Sequence, residues 1–336
     1  MNDVLKSVEK LPDQCLQAWE ETQKIEFDAR YKEIWNVAVC GMGASGLPAH
    51  IINSAFPANV PVVSVNAYDL PSWAHEHTLA YLSSYSGNTE EILSCAEQAK
   101  KSNCMVTGSS EGGKLAEFFK SNNYSAYVYD PKHNPAKQPR MGLGYGVFGQ
   151  LGILAKLGVV SAVEGPLGDQ VKRGVGRTTE SKGKIQQAAK KLAETIKDRA
   201  LLIFAADHLI GNAHAFANQA NETSKTAAFW FSIPEANHHL LEGLKHPKIP
   251  LTAIFLESNN YFDPVKKRIE LTKKIVEKNG HETQSYRVQQ GTLLEEMLDA
   301  LMFSSFTTVY LADHYREDPL AIPWVDSFKK ELEKTK

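Results

Sequence analysis

The run Ile34-Trp35-Asn36-Val37-Ala38-Val39-Cys40 passes without a break into Gly41-Met42-Gly43-Ala44-Ser45-Gly46. An apolar run of strand length, closed by a glycine-rich turn and followed by a helical pattern, is the opening of a parallel β–α unit. Outward from it the rhythm repeats. Apolar runs at 60–65, 79–83, 104–107 and 126–129 alternate with helical patterns such as 89–101. A second series starts at 200–205 and continues at 251–256 and 286–288, with helices expected at 208–220, 263–278 and 292–312. Near-continuous apolar strands between helices imply sheets covered on both faces. The expected fold class is α/β, with two domains, each a parallel sheet flanked by helices. The expected boundaries are 1–160 and 200–336, with 161–199 as linker and helix. The linker expectation rests on 164–183, a glycine-containing, charged stretch that leads to a polar helix near 184–197. The helix at 142–158 is also rich in glycine, which points to close backbone packing. Similarity between the two halves is weak, so whether they repeat one fold stays open.

Composition bounds the function. The chain has 336 residues, enough for two cores, with 43% hydrophobic and 23% charged residues and a formal net charge of −2. That balance gives no electrostatic footprint for nucleic acid or acidic lipid. No apolar run reaches the roughly 18 residues of a membrane span. Residues 1–20 read as a polar amphipathic helix and not as a signal peptide. Cys15, Cys40, Cys95 and Cys104 form no CxxC pair and no zinc spacing, as expected of reduced core thiols in a cytoplasmic protein. No metal ligand set of the HxH or HExxH kind occurs, and neither metal nor cofactor is expected.

The glycine turn presents backbone N–H groups at a helix start, which suits a phosphate. The same pattern fits a dinucleotide. However, 60–66 offers no acidic residue for a ribose, and the hydroxyl of Ser45 lies inside the turn. The run at 79–83 ends in Ser84-Tyr85-Ser86-Gly87-Asn88-Thr89-Glu90-Glu91. Ser84, Ser86 and Thr89 thereby meet in one turn at the mouth of the next helix, an uncharged cage for a dianion. The plainer alternative is an N-cap by Asn88 or Thr89.

These two turns, together with Thr107-Gly108-Ser109 and Gly113-Lys114-Leu115, resemble the phosphosugar-binding loops of the SIS (sugar isomerase) domain. One departure is Ala44, where many members have glycine. In the second half, Asn221-Glu222-Thr223-Ser224-Lys225, Pro234-Glu235-Ala236-Asn237-His238 and Asp318-Pro319 are similar to segments of the bifunctional phosphoglucose/phosphomannose isomerase family. So are Leu11-Pro12-Asp13-Gln14 and Pro139-Arg140, which extends the resemblance over nearly the whole chain.

The resemblance implies two SIS-type, flavodoxin-like domains and an aldose–ketose isomerase acting on glucose 6-phosphate, with mannose 6-phosphate left open. Gly43, Ala44, Ser45, Ser84, Ser86 and Thr89 would hold the sugar phosphate. Glu222 would move the proton between C1 and C2, His238 would open the ring with help from Lys329, and Arg140 would stabilise the enediolate. It also implies a homodimer with shared active sites, the ring-opening histidine coming from the second copy. The residue types suit this chemistry unaided. A carboxylate with a raised pKa can take the C2 proton, an imidazole can open a ring near neutral pH, and a guanidinium stays charged beside an oxyanion. His239 competes with His238 for the ring-opening role. The segment between Asp318 and Lys329 lacks the threonine that dual-specificity members carry. Each candidate also has a plainer reading: a helix-end glutamate, loop histidines, an arginine beside a proline, a lysine on a solvated face. A non-catalytic phosphosugar sensor, or another SIS sugar-phosphate isomerase, would keep the serine turn.

Overall fold

The structure is a computed structural model and describes residues 1–162, 165–246 and 248–334. Five strands, β1 (Asn36–Gly41), β2 (Val62–Val65), β3 (Thr78–Ser83), β4 (Met105–Ser110) and β5 (Tyr127–Val128), form a sheet in the order β2-β1-β3-β4-β5. Four more, β6 (Ala200–Ala206), β7 (Ala228–Ile233), β8 (Leu251–Glu257) and β9 (Glu282–Arg287), form a second sheet in the order β7-β6-β8-β9. Every pairing is parallel. Each sheet starts at an inner strand, steps to one side, then crosses to the other, so the two halves share one plan that their sequences conceal.

Side-chain alternation explains why the first sheet sits between layers. Val37, Val39, Leu79 and Tyr81 face the main core, while Ala38, Cys40, Ala80 and Leu82 face a smaller one built with Ile92, Cys95, Leu115 and Phe119. Successive residues point to opposite faces of a strand, so a strand buried on both faces reads as a near-continuous apolar run. The main core runs on into the second sheet through Leu201, Ile203, Phe255 and the helix Leu293–Tyr315. That helix opens with a capping box, in which Thr292 accepts from the Glu295 N–H and the Glu295 carboxylate accepts from the Thr292 N–H.

The linker expected at 164–183 is corrected by the structure: an unbroken helix, Leu167–Thr195, occupies all but its first residues, and Glu164 lies outside the described residues. Val171, Val175, Thr178, Ile185, Ala189 and Leu192 are buried along one stripe of it. Gly174 lets it approach the helix Leu293–Tyr315, since a Cβ there would stand 2.5 Å from a Leu294 methyl. The single N-terminal helix becomes two, Asn2–Glu9 and Leu11–Thr22, with Pro12 in the first turn of the second. Proline is tolerated in a first turn but cannot donate to a preceding turn, so the break falls just before it. The glycine-rich helix Leu143–Lys156 does pack closely, as read: a Cβ on Gly152 would fall 2.0 Å from the Thr22 hydroxyl. Among the described residues no helix is long and apolar enough to cross a membrane.

Candidate active site

Two turns at the carboxyl ends of β1 and β3 meet. After β1 a short 3-10 turn, Gly43–Ser45, leads into the helix Leu47–Ala55. The Tyr85 N–H donates to the Ser45 hydroxyl at 3.0 Å, which ties the glycine turn to the serine turn. Within the serine turn the Ser84 and Thr89 hydroxyls lie 2.8 Å apart, and the Gly87 N–H donates to the Ser84 oxygen at 3.1 Å. Gly87 takes a left-handed φ of +69°, and a Cβ on it would stand 1.9 Å from the Gly112 carbonyl, so no other residue fits. Thr89 precedes the helix Glu90–Lys101, yet its hydroxyl does not cap that helix. Its partner is the Ser84 hydroxyl, so the plain N-cap explanation for Thr89 does not describe its side chain. Ser84 is buried and Ser86 exposed. A narrow cleft beside Ser45 is lined by Ala44, Ser83, Tyr85, Ser109, Pro139 and Gly142.

The second domain reaches this cleft along one helix. Ile210–Thr223 crosses Leu47–Ala55 in the opposite sense: the Gly211 N–H donates to the Ser54 hydroxyl, and His214 Nδ1 lies 3.3 Å from His50 Nδ1. As numbers rise on one helix they fall on the other. The end of Ile210–Thr223 is thereby delivered to the start of Leu47–Ala55, where the glycine turn lies. Glu222, one residue from that end, puts its carboxylate 3.4 Å from the Arg140 guanidinium. Arg140 follows Pro139 of the cleft and is 2% exposed in its side chain, against 32% for Glu222.

Arg140 is held from several sides. Its Nη2 donates to the Pro319 and Leu320 carbonyls at 2.6 and 3.0 Å, and its Nη1 to Gln138 Oε1 at 3.2 Å. Its own carbonyl accepts from Gln219 Nε2. Burial draws its pKa down while the charges of Glu222 and Asp318 push it back up. Lys225 closes the same corner. Its ammonium donates to the Glu222, Thr223 and Asp318 carbonyls, and burial with the nearby Arg140 charge lowers its pKa. Gln219 and Lys225 were given no role on sequence grounds. A buried amide one turn ahead of Glu222 and a lysine three residues after it were the available signals.

The remaining candidates lie apart. His238 ends a 3-10 turn, Glu235–His238, and is exposed; His239 is exposed and bonds Glu235 Oε2 at 3.0 Å. Lys329 is exposed on the C-terminal helix Pro323–Lys334. Among the described residues neither His238 nor Lys329 hydrogen-bonds Glu222 or Arg140. One chain therefore brings Glu222, Arg140 and the two turns together and leaves His238 and Lys329 on its surface. Among the described residues no three His, Cys, Asp or Glu side chains converge as a metal site, and all four cysteines are buried and free of disulfides.

Comparison with known proteins agrees with this architecture. Residues 185–332 match the family described as the bacterial phospho-glucose isomerase C-terminal SIS domain. A bifunctional phosphoglucose/phosphomannose isomerase from Caldicellulosiruptor bescii is 25% identical over 99% of this chain and 100% of its own length. One from Aquifex aeolicus is 28% identical over 99% of each. Among solved structures, a hypothetical protein from Thermus thermophilus superposes with a TM-score of 0.76 at 15% identity, covering 99% of this chain and 90% of that one. The C-terminal domain of glucosamine-fructose-6-phosphate aminotransferase from Francisella tularensis gives 0.67 at 14% identity, covering 94% and 97%. Two parallel sheets on one plan, with a hydroxyl-lined turn at the switch point of the first, define an SIS-domain protein of the phosphosugar isomerase class. Within that class, the likeness over nearly the whole chain is to bifunctional phosphoglucose/phosphomannose isomerases, at 25–28% identity.

Proposed function

We propose that the protein interconverts glucose 6-phosphate and fructose 6-phosphate by proton transfer through an enediol, with mannose 6-phosphate left for the assay to decide. The observation that carries this reading is the Glu222–Arg140 pair, a base and a cation from different domains held 3.4 Å apart beside the cleft of Ser45. The sugar phosphate sits on the Gly43, Ala44 and Ser45 turn and on the Ser84, Ser86 and Thr89 hydroxyls, with the helix Glu90–Lys101 aiming its positive end at the dianion. This anchors the sugar at one end and leaves C1 and C2 toward Glu222. The carboxylate removes the proton from C2 and returns it to C1, while O1 and O2 carry the developing charge next to the guanidinium. The C2 proton ends on C1 and the O2 hydroxyl proton ends on O1, so the isomerisation balances with no outside reagent.

His238 and Lys329 complete the centre from a second copy of the chain. Both are exposed here, as groups waiting for a partner would be. The working unit is then a cytoplasmic homodimer in which each cleft receives an imidazole for ring opening. The test is a coupled assay of fructose 6-phosphate formation from each aldose by purified protein in EDTA, beside Glu222→Gln. Turnover lost in the variant with substrate still bound supports the reading. Equal turnover in both proteins, or turnover only after zinc is added, overturns it.

A further inference from the structure

The second domain repeats the first down to the place where an anion would bind. β6 and β8 stand where β1 and β3 stand in the first sheet. A 3-10 turn, Asp207–Leu209, leads from β6 into Ile210–Thr223, as Gly43–Ser45 leads from β1 into Leu47–Ala55. Ser258 directly follows the last residue of β8, as Ser84 directly follows the last residue of β3. The Asn260 N–H donates to the Ser258 hydroxyl, as the Gly87 N–H donates to that of Ser84. Helices Asp263–Lys278 and Glu90–Lys101 come next. Crevices at such switch points are where open parallel sheets take their ligands.

Here the two halves part. In the second crevice the acceptor positions are filled by the chain itself. The Glu296 carboxylate is fully buried and accepts from the Ser258 hydroxyl, from Asn260 Nδ2 at 2.9 Å, and meets His208 Nε2 at 2.7 Å. A second carboxylate, Asp207, accepts from the Phe262 N–H at 3.2 Å, at the mouth of the helix Asp263–Lys278. A hydroxyl, an amide, an imidazole and a helix N–H are the donors a phosphate would seek, and all of them point at carboxylate oxygens. A cavity of about 210 Å³ remains beside this cluster, lined by Asn260, Gly291, Thr292 and Gln170 among others.

We infer that the second domain is an anion site of the same design, closed from within: Glu296 and Asp207 occupy the ligand's place, so each chain binds one phosphate and not two. The inference goes beyond the isomerase reading: the closure concerns the second domain alone, and the count of one per chain rests in addition on the serine turn of the first domain binding phosphate. The internal carboxylates make the second domain a rigid support for the helix that carries Glu222, and they repel any dianion entering the adjoining cavity. Opening the site requires removing charge, not adding donors.

Titration of the full-length protein with inorganic phosphate, followed by ³¹P line broadening and calorimetry, counts the sites. The expected count is one per chain in the wild type, lost in Ser84→Ala. The double variant Glu296→Ala, Asp207→Ala is expected to gain a second site, which disappears when His208→Ala is added and is indifferent to Ser84→Ala. Two sites in the wild type, with Ser84→Ala removing one, overturn the inference whether or not the double variant folds. A folded double variant with the wild-type count also overturns it. No site in the wild type, with one His208-dependent site gained in the double variant, supports the inference while counting against the phosphate reading of the first domain.

Discussion

Gly211 lies so close to Ile51 that a Cβ on the glycine would come within 2.4 Å of the Ile51 Cα. This contact sets the crossing of the two helices that lead from the first strands, in chain order, of the two sheets. The crossing in turn sets where Glu222 ends. Gly211→Ala must push backbone from backbone, because no flexible side chain stands there to yield. The expected loss is about 1–3 kcal/mol by urea denaturation. The purified variant at low temperature should also show a kcat reduced at least about tenfold with KM little changed, since the misplaced carboxylate acts on chemistry and not on the phosphate. Unaltered stability would show that the two helices part more easily than their contact implies.

Glu222→Gln keeps shape and removes the group proposed as the base. General base catalysis is worth about 10²–10⁴-fold, so kcat should fall at least about a hundredfold while the affinity for a non-reacting phosphosugar analogue stays within about threefold. Calorimetry beside the coupled assay separates the two.

Arg140→Met takes away a buried cation and leaves the Pro319 and Leu320 carbonyls without their donor. Breaking a buried pair on one side costs about 3–5 kcal/mol; the partial exposure of Glu222 puts the expected loss at the lower end. Arg140→Lys restores charge but not two divergent N–H groups, so stability should return further than activity does. Thermal unfolding and kcat measured on both variants check this.

Stability should also carry a signature of Asp299. Its carboxyl is pushed from 3.8 to about 6, mainly by burial, although Tyr286 donates to it at 2.7 Å. A raised carboxyl pKa means that the folded state holds its proton longer than the unfolded chain does. The folded state is therefore favoured below the ordinary value and progressively loses that advantage as pH rises from about 4 to about 6. A difference of that size corresponds to about 3 kcal/mol. Asp299→Asn should match the wild type near pH 4 and exceed it by up to about that amount at pH 7. Urea midpoints across this range that run in parallel would remove the assignment.

Much of this was written in the residues, and the misses are physical. Strands such as Val37-Ala38-Val39-Cys40 are legible because a sheet covered on both faces favours near-continuous apolar runs. The glycine turn and the serine turn are legible because phosphate-binding backbone needs small residues and hydroxyls at strand ends. The helix Leu167–Thr195 was hidden by its glycines, which lower local helix propensity by about 1 kcal/mol each. Yet Val171, Val175, Thr178, Ile185, Ala189 and Leu192 repeat at helical spacing, and tertiary packing of that stripe outweighs propensity. The role of Lys225 was illegible because it depends on carbonyl groups of residues 222, 223 and 318, whose meeting is a property of the fold alone.

The Arg140 guanidinium is a junction. One edge faces Glu222, another grips the segment Asp318-Pro319-Leu320, and beyond that segment hangs a helix whose Trp324 and Phe328 are 85% and 65% exposed. The same buried cation therefore joins the root of the C-terminal helix to the carboxylate of Glu222. How that helix is seated and how the ion pair is set are thus one geometric question, not two.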